Sequence, residues 1–458
     1  MKNFQYIVLM VLIALPLVAN CWDAYESPSD FTNWMKAQEG IQPQFIDGDV
    51  ITYDKAELIR PFVPPAYQNL MFYEGMEVSI KDAGDLTPHE MYDAATEKFK
   101  GQASIDADGG VVNYTAGRPF DRTQWKVGDT EDAYELAWNF QYRWQFEGAE
   151  VGENEWVWVV PGESHADHEI MKGAKAQYYL GKGKFQRVLT GKYKRVLMTH
   201  RVDLADTDYK LPGRWATGAE YRDYQGFTAP FDITGTSFLI QRYNDPHRAD
   251  DSWAYIPSLR RVRRISVEVK SDSLLGTDLT LEDFYCFHGR ILEHEWEYMG
   301  TAKLLAVARS RYRESVFGGH MGIVPIDNWA LRTMDVVKMT PKWAGHPYSA
   351  KVMMLDLDTN QCYYAEAYDK GGVTWKVLQA SKIWTEDDHF HEGSNLDPNL
   401  KIPDTPRGIR VSGFQSIQAI DLQNNRGTII PVRGVTYPVN KYSDIKRRLD
   451  VNYLTEGR

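Results

Sequence analysis

The sequence predicts an α+β protein that is mainly antiparallel sheet. Three observations carry this expectation. Aromatic residues make up 13% of the chain, with 14 Trp, 27 Tyr and 18 Phe, and aromatic side chains favour strands. From about Glu155 onward the chain is a series of short apolar or alternating segments separated by turn residues. The connections between them are short, which fits neighbouring strands paired in antiparallel order. There is no repeated βα alternation and no G-x-G-x-x-G opening a helix, so a nucleotide-binding α/β fold is disfavoured.

The chain opens on an address. Lys2 precedes an unbroken apolar run from Ile7 to Leu15, followed by Pro16 and Leu17-Val18-Ala19. A short positive region, an apolar stretch and a small residue at the cut read as a secretory signal over residues 1–19. The 13 residues from Ile7 to Ala19 span about 20 Å as helix, short of the ~30 Å hydrocarbon core, so a transmembrane anchor is disfavoured. Cys21 lies close behind, but it follows Asn20 rather than the small residue that normally precedes a lipid-acceptor cysteine. Cleavage after Ala19 into a soluble form is therefore preferred. Residues 20–458 read as one domain. Its first part, to about residue 86, reads as irregular, with Pro61, Pro64 and Pro65 marking extended coil.

Thr87-Pro88-His89-Glu90 has the form of a capping box with proline at the first helical position. Met91, Ala95 and Phe99 then recur every four residues, and Gly101 closes the helix. Asp129 caps a second helix, and further on Gly276 marks a turn before Thr280-Leu281-Glu282-Asp283, which resembles a cap opening a short helical turn. Leu136, Trp138, Phe140, Tyr142, Trp144 and Phe146 alternate with polar residues, so the second helix is expected to pass into a strand near Trp138. Strands follow at Trp156–Val160, at Phe185–Leu189 and Tyr193–Met198 as a hairpin about Gly191, and at Ser237–Tyr243, Ser252–Ile256 and Val262–Val269. In Ile291–Met299 the face of Leu292, His294, Trp296 and Tyr298 opposes Glu293, Glu295 and Glu297. Lys351–Leu357, Cys362–Tyr368 and Val373–Leu378 continue the meander.

A net charge of −11 argues against nonspecific nucleic-acid binding, which runs on a basic surface. Three cysteines do not make a disulfide scaffold. In an exported chain Cys286 and Cys362 could close a loop worth about 4 kcal/mol, or remain two buried thiols. Glu163–Glu169 and Asp387–Glu392 are rich in histidine and carboxylate. Neither offers a third defined ligand and both read as polar loops, so no metal site is expected. No G-x-S-x-G elbow is present. With 63 acidic residues, spacing alone nominates no glycosidase pair. Arg260-Arg261-Val262-Arg263-Arg264 is a basic patch on an acidic protein. It reads either as ion pairs across the sheet or as a contact for phosphate headgroups or an acidic partner.

Four stretches are similar to a known family. They are Tyr114–Phe120 followed by Ala137–Phe140, Asp251–Ile265, Asp272–Asp278 through Glu282-Asp283, and Glu366–Asp369 through Trp375-Lys376. Together they resemble the bacterial domain-of-unknown-function family 1329, described as outer-membrane lipoprotein-sorting-protein-like. The resemblance implies a LolA/LolB-like fold, an open, curved antiparallel sheet (an incomplete barrel) wrapping a few helices, with room for lipid between them. It implies no reaction, catalytic residue or cofactor, so a non-enzyme is expected. It also implies periplasmic work in a Gram-negative envelope, beside an inner-membrane hydrophobe exporter and an outer-membrane companion protein.

The expected function is a periplasmic carrier for a lipid or other hydrophobic molecule, accessory to envelope export or outer-membrane trafficking. The expected cavity wall is aromatic: Trp138, Phe140, Tyr142, Trp144, Trp253, Tyr255, Trp296 and Tyr298. Arg260, Arg261, Arg263 and Arg264 would meet a headgroup or partner. The alternatives are an envelope glycan-active enzyme, which needs two carboxylates about 5–10 Å apart in a Trp-lined cleft, and a docking module without a ligand.

Overall fold

The structure is a computed structural model that describes residues 28–122, 125–162, 178–266, 271–392, 408–436 and 442–455. Fifteen strands join in one sheet. In chain order they are β1 (Val50–Thr52), β2 (Glu77–Ile80), β3 (Gly148–Val160), β4 (Lys184–Leu197), β5 (Ala219–Ala229), β6 (Ser237–Tyr243), β7 (Asp251–Ile256) and β8 (Arg261–Arg264). Then come β9 (His294–Ala306), β10 (Asn328–Pro341), β11 (Ala350–Asp356), β12 (Cys362–Tyr368), β13 (Thr374–Trp384), β14 (Ser412–Asp421) and β15 (Arg426–Thr436). The order across the sheet is β1-β2-β10-β11-β12-β13-β14-β15-β3-β4-β5-β6-β7-β8, with β9 paired to β10 beside this path. Only the short β2–β10 contact is parallel. Because β1 and β8 are its unpaired ends, the sheet is open and not a closed barrel.

The sheet must curve. Arg242 on β6 donates to the His288 carbonyl at 2.9 Å, and Lys351 on β11 donates to Asp283 at 2.6 Å. Asp283 and His288 belong to one tight loop, closed by the His288 N–H on the Glu282 carbonyl at 2.8 Å. Eight strand spacings separate β6 from β11, roughly 38 Å in a flat sheet. Two side chains cannot span that, so the sheet curls around the loop.

The concave face packs on α3 (Glu90–Phe99), α4 (Thr130–Gln141) and the segment 274–293. Strand alternation sorts the residues. Trp156 faces this inner core, while Val157 and Val159 face a second core on the convex side. The convex core is covered by the N-terminal segment, including α1 (Pro28–Ala37) and α2 (Pro65–Met71), which buries Phe31, Ile59, Phe62 and Tyr67. Beyond it, α6 (Tyr442–Arg448) lays Ile445 and Leu449 against Val196, Leu239 and Tyr255.

Several expectations hold in detail. Asp129 caps α4, accepting from the Glu131 and Asp132 N–H groups at 2.9 and 3.2 Å. His294, Trp296 and Tyr298 are buried while Glu295 and Glu297 are exposed. Thr280 and Asp283 form a capping box, and Gly276 takes φ +83° in the turn before it.

Others are corrected. The alternation at Leu136–Phe146 does not start a strand. α4 continues to Gln141, because Ala133, Leu136, Ala137 and Phe140 at helical spacing bury the face that meets the sheet. The cap of α3 falls at His89, whose Nδ1 accepts from the Met91 N–H, while Thr87 is held by Asp85. Gly191 is no hairpin turn but lies inside β4. A Cβ there would stand 2.7 Å from the Gly226 carbonyl, so the glycine permits close strand approach. Residues 28–86 are not irregular coil but carry helices, turns and the edge strands β1 and β2. Asp388–His391 is one helical turn (α5), not the expected loop. The signal segment, Cys21 and Glu163–Glu169 lie outside the described residues.

Candidate functional site

A cavity of about 80 Å³ opens on the concave face, between β3, β4, β14 and β15 on one side and the 279–285 segment on the other. Its apolar wall comes from Trp156, Tyr193, Phe284, Phe414, Ile417 and Ile430. Trp156 anchors it, fully buried against Phe227 at 5.7 Å and Phe284 at 5.5 Å between ring centroids. No carboxylate is among the lining residues. The segment above the cavity is strained. Leu275, Tyr285 and Cys286 take φ values of 52°, 59° and 70°, each costing about 1–2 kcal/mol for a residue with a Cβ.

The polar floor contains one fully paired ion cluster. Arg195 grips Asp223 bidentately, Nε to Oδ1 at 2.8 Å and Nη2 to Oδ2 at 2.6 Å. Burial opposes the Asp223 charge, but the Arg195 guanidinium prevails and holds the carboxyl below its ordinary range. Burial, reinforced by Arg195, lowers His288 to about 4, so it is neutral at neutral pH. Its Nε2 lies 2.7 Å from the Tyr221 hydroxyl.

Two further cations differ from Arg195. Arg143, 6% exposed, lines the cavity. It donates to the Phe140 carbonyl at 2.7 Å and to Gln361 Oε1 at 3.4 Å, and stacks over Phe140 and Tyr285. Lys382, fully buried, donates to the same Gln361 oxygen at 3.0 Å and stands 3.3 Å from the Phe414 ring centroid. Neither has an acidic partner among the described residues. Burial lowers both, Arg143 to about 10. Beside them Cys286 and Cys362 are neighbouring buried, free thiols, and Cys362 Sγ donates to the Tyr364 carbonyl at 3.1 Å. Their juxtaposition makes the expected pair geometrically close, with no bond formed in this structure.

The expected aromatic wall does not line this cavity. Trp138, Phe140, Tyr142, Trp144, Trp296 and Tyr298 are in the inner core. Trp138 donates to the Gly109 carbonyl at 2.8 Å, Trp296 to Ile291 at 2.9 Å, Trp144 to Arg410 at 2.6 Å and Tyr298 to Asp335 at 3.0 Å. Trp253 and Tyr255 belong to the opposite face, under α6, because Ala254 between them takes the concave side. Of the arginine patch, Arg264 pairs with Asp251. Arg260, Arg261 and Arg263 are exposed on or beside the terminal strand β8, without an ion pair among the described residues. The real lining was partly visible as strand residues, Trp156 and Tyr193 among them. Arg143 was hidden by the misplaced strand, which set it on a polar face.

A buried trio, Glu282, His294 and His346, has the residue types of a metal centre. Its His346 is otherwise committed. The Tyr348 N–H donates to His346 Nδ1 at 3.0 Å, so the His346 proton sits on Nε2 and faces Glu282 at 2.6 Å. A neutral imidazole has one lone-pair nitrogen, and here it is occupied. His294 Nδ1 meets the Arg290 carbonyl at 2.9 Å, and its Nε2 lies 3.1 Å from Glu282. The trio fits a clasp that ties the loop to β9 and to the turn before β11.

A family model described as protein of unknown function (DUF1329) matches residues 64–429. The chain belongs to this family. An uncharacterized protein of Pseudomonas aeruginosa is 25% identical over 169 residues, a match covering 34% of this chain and 37% of that protein. The chain thus spans little more than a third of that relative's length. Among solved structures, a domain described as an outer membrane lipoprotein-sorting protein from Vibrio parahaemolyticus has a TM-score of 0.45 at 16% identity, over 71% of this chain and 100% of that one. A DUF1329 protein from Desulfovibrio piger has 0.41 at 18%, over 72% and 100%. A LolA superfamily protein from Nitrosomonas europaea has 0.34 at 12%, again over 72% and 100%. Two glycines in the stretches that carried the family resemblance have a physical reason in this DUF1329 protein. Gly117 takes φ +84° where a Cβ would stand 2.4 Å from the Thr96 nitrogen, and Gly276 leaves room for the Trp158 ring.

Proposed function

We propose that this DUF1329 protein is a binding and carrier protein for a hydrophobic molecule, held on the concave face of the sheet. The observation that carries the proposal is the apolar cavity walled by Trp156, Phe284, Phe414 and Ile417 inside an open curved sheet. At about 80 Å³ it is about half the ~150 Å³ of an apolar cavity that binds benzene, so it holds only part of a chain. A longer ligand displaces the strained 284–286 segment, whose left-handed residues lower the cost of leaving. The work is placed in the periplasm of a Gram-negative bacterium, after export by the N-terminal signal segment. An inner-membrane hydrophobe exporter and an outer-membrane companion protein are its proposed partners.

The lining of this cavity holds no carboxylate, so the cavity itself does not offer the pair a glycosidase needs. A partner contact at β8 is supported by Arg260, Arg261 and Arg263 beside exposed Ile256 and Leu259. No helix among the described residues is long and apolar enough to cross a membrane.

Native mass spectrometry of protein purified gently from the envelope fraction, followed by organic extraction, tests the carrier. A reproducible hydrophobic adduct, reduced in Trp156→Arg, is the expected result. A bare mass that stays unchanged after incubation with total membrane lipid overturns it.

A further inference from the structure

Many buried charges among the described residues are paired, but two buried cations at the cavity have no acidic partner there. Asp223 has Arg195, Asp283 has Lys351, Asp250 has Arg242, and Asp335 has Arg122. Arg143 and Lys382 have only neutral partners, a carbonyl and the shared Gln361 oxygen. An unpaired buried cation is expensive, and two close enough to repel each other are worse. Their partners are also too few. A guanidinium offers five N–H donors and an ammonium three, and one amide oxygen serves both groups. Arg143 lines the cavity, and Lys382 lies directly behind Phe414 and Gln361, which line it too. An anion that pairs with them can reach them from the open side of the cavity.

Resting on the carrier reading, we propose that the ligand is an acidic amphiphile, whose apolar part lies along Trp156, Phe414 and Ile417 and whose acid group is received by Arg143 with Lys382 behind it. The shared chemistry is an anionic head on an apolar chain, either carboxylate or phosphate. Polarity follows from the layout. The head goes in toward Gln361 and the chain leaves past Phe284 and Tyr285. The two left-handed residues at 285 and 286 sit where the chain must pass.

Calorimetric titration of the full exported chain with palmitate, hexadecyl phosphate, hexadecanol and inorganic phosphate tests this. One or both acids should bind about tenfold or more tighter than the alcohol, as a charge-assisted hydrogen bond in a buried site implies. Which acid prevails identifies the head. Inorganic phosphate alone should not bind. Lys382→Met should erase most of the preference and, because it deletes an unpaired buried charge, raise the melting temperature of the empty protein. Arg143→Lys should keep part of the preference. Replacing Cys286 and Cys362 by serine should leave it intact.

Equal binding of acid and alcohol overturns the acid site and leaves the carrier standing. Binding of inorganic phosphate as tightly as of the acids overturns the amphiphile. A clear rise of the preference in the serine variant over the wild type assigns the counter-ion to a thiolate and also overturns it. Failure of all four probes on the wild-type chain overturns the carrier reading itself.

Discussion

Glu366→Gln probes the contact between the N-terminal segment and the sheet. Glu366 sits on β12, 1% exposed. Its Oε1 accepts from the Ala66 N–H at 3.0 Å, and its Oε2 accepts from the Tyr368 hydroxyl at 3.0 Å. No cation faces it. Burial lifts its pKa to about 7 against the pull of both hydrogen bonds. The folded value lies above the unfolded one, so the folded protein holds this proton longer. The stability this gives is full below the unfolded value and is lost as pH rises through about 7. A rise from 4.5 to about 7 corresponds to about 3 kcal/mol between the two protonation states. Glutamine keeps the acceptor for Ala66 and cannot ionise. Urea unfolding of both proteins at about pH 5 and about pH 8.5 measures the difference. The variant should match the wild type within about 1 kcal/mol in acid and exceed it by about 2–3 kcal/mol in base. A difference that stays constant with pH would refute the idea that this carboxyl is held neutral by burial.

Further outcomes follow from packing and backbone geometry. Trp156→Ala should cost about 3–5 kcal/mol, read by urea unfolding, because it empties the centre of the inner core. Gly117→Ala should cost more than about 2 kcal/mol, since the added carbon meets the Thr96 backbone and φ is positive; a neutral effect would mean that the turn is built differently. Alkylation mapped by peptide mass should leave Cys286 and Cys362 unlabelled in the folded protein, both being buried. Arg261→Ala and Arg263→Ala should each change stability by less than about 0.5 kcal/mol, because exposed arginines without partners contribute little to folding.

The sequence by itself determined the fold class, the strand-rich body and most strand positions. Period-2 patterning is a local property, and His294 to Tyr298 displays it without knowledge of any neighbour. Asp129 and Thr280 announced their turns for the same reason, because a cap is satisfied within three residues. Ordered matches spread along the chain also carried the family. What the sequence left open is which aromatic face surrounds empty space. Trp138 and Trp156 are equally apolar and both belong to the inner core, but of the two only Trp156 walls this cavity, because that depends on what the curved sheet brings opposite them. The helix-to-strand error at Trp138 shows the limit from the other side. Its residues satisfied both periods, and packing against the sheet chose the helix. The acid site was less legible still. Arg143, Gln361 and Lys382 are far apart in the chain and ordinary in composition. Only the tertiary structure shows that two of them are buried charges without an anion, because pairing is settled by distance in the folded molecule and not by spacing along the chain.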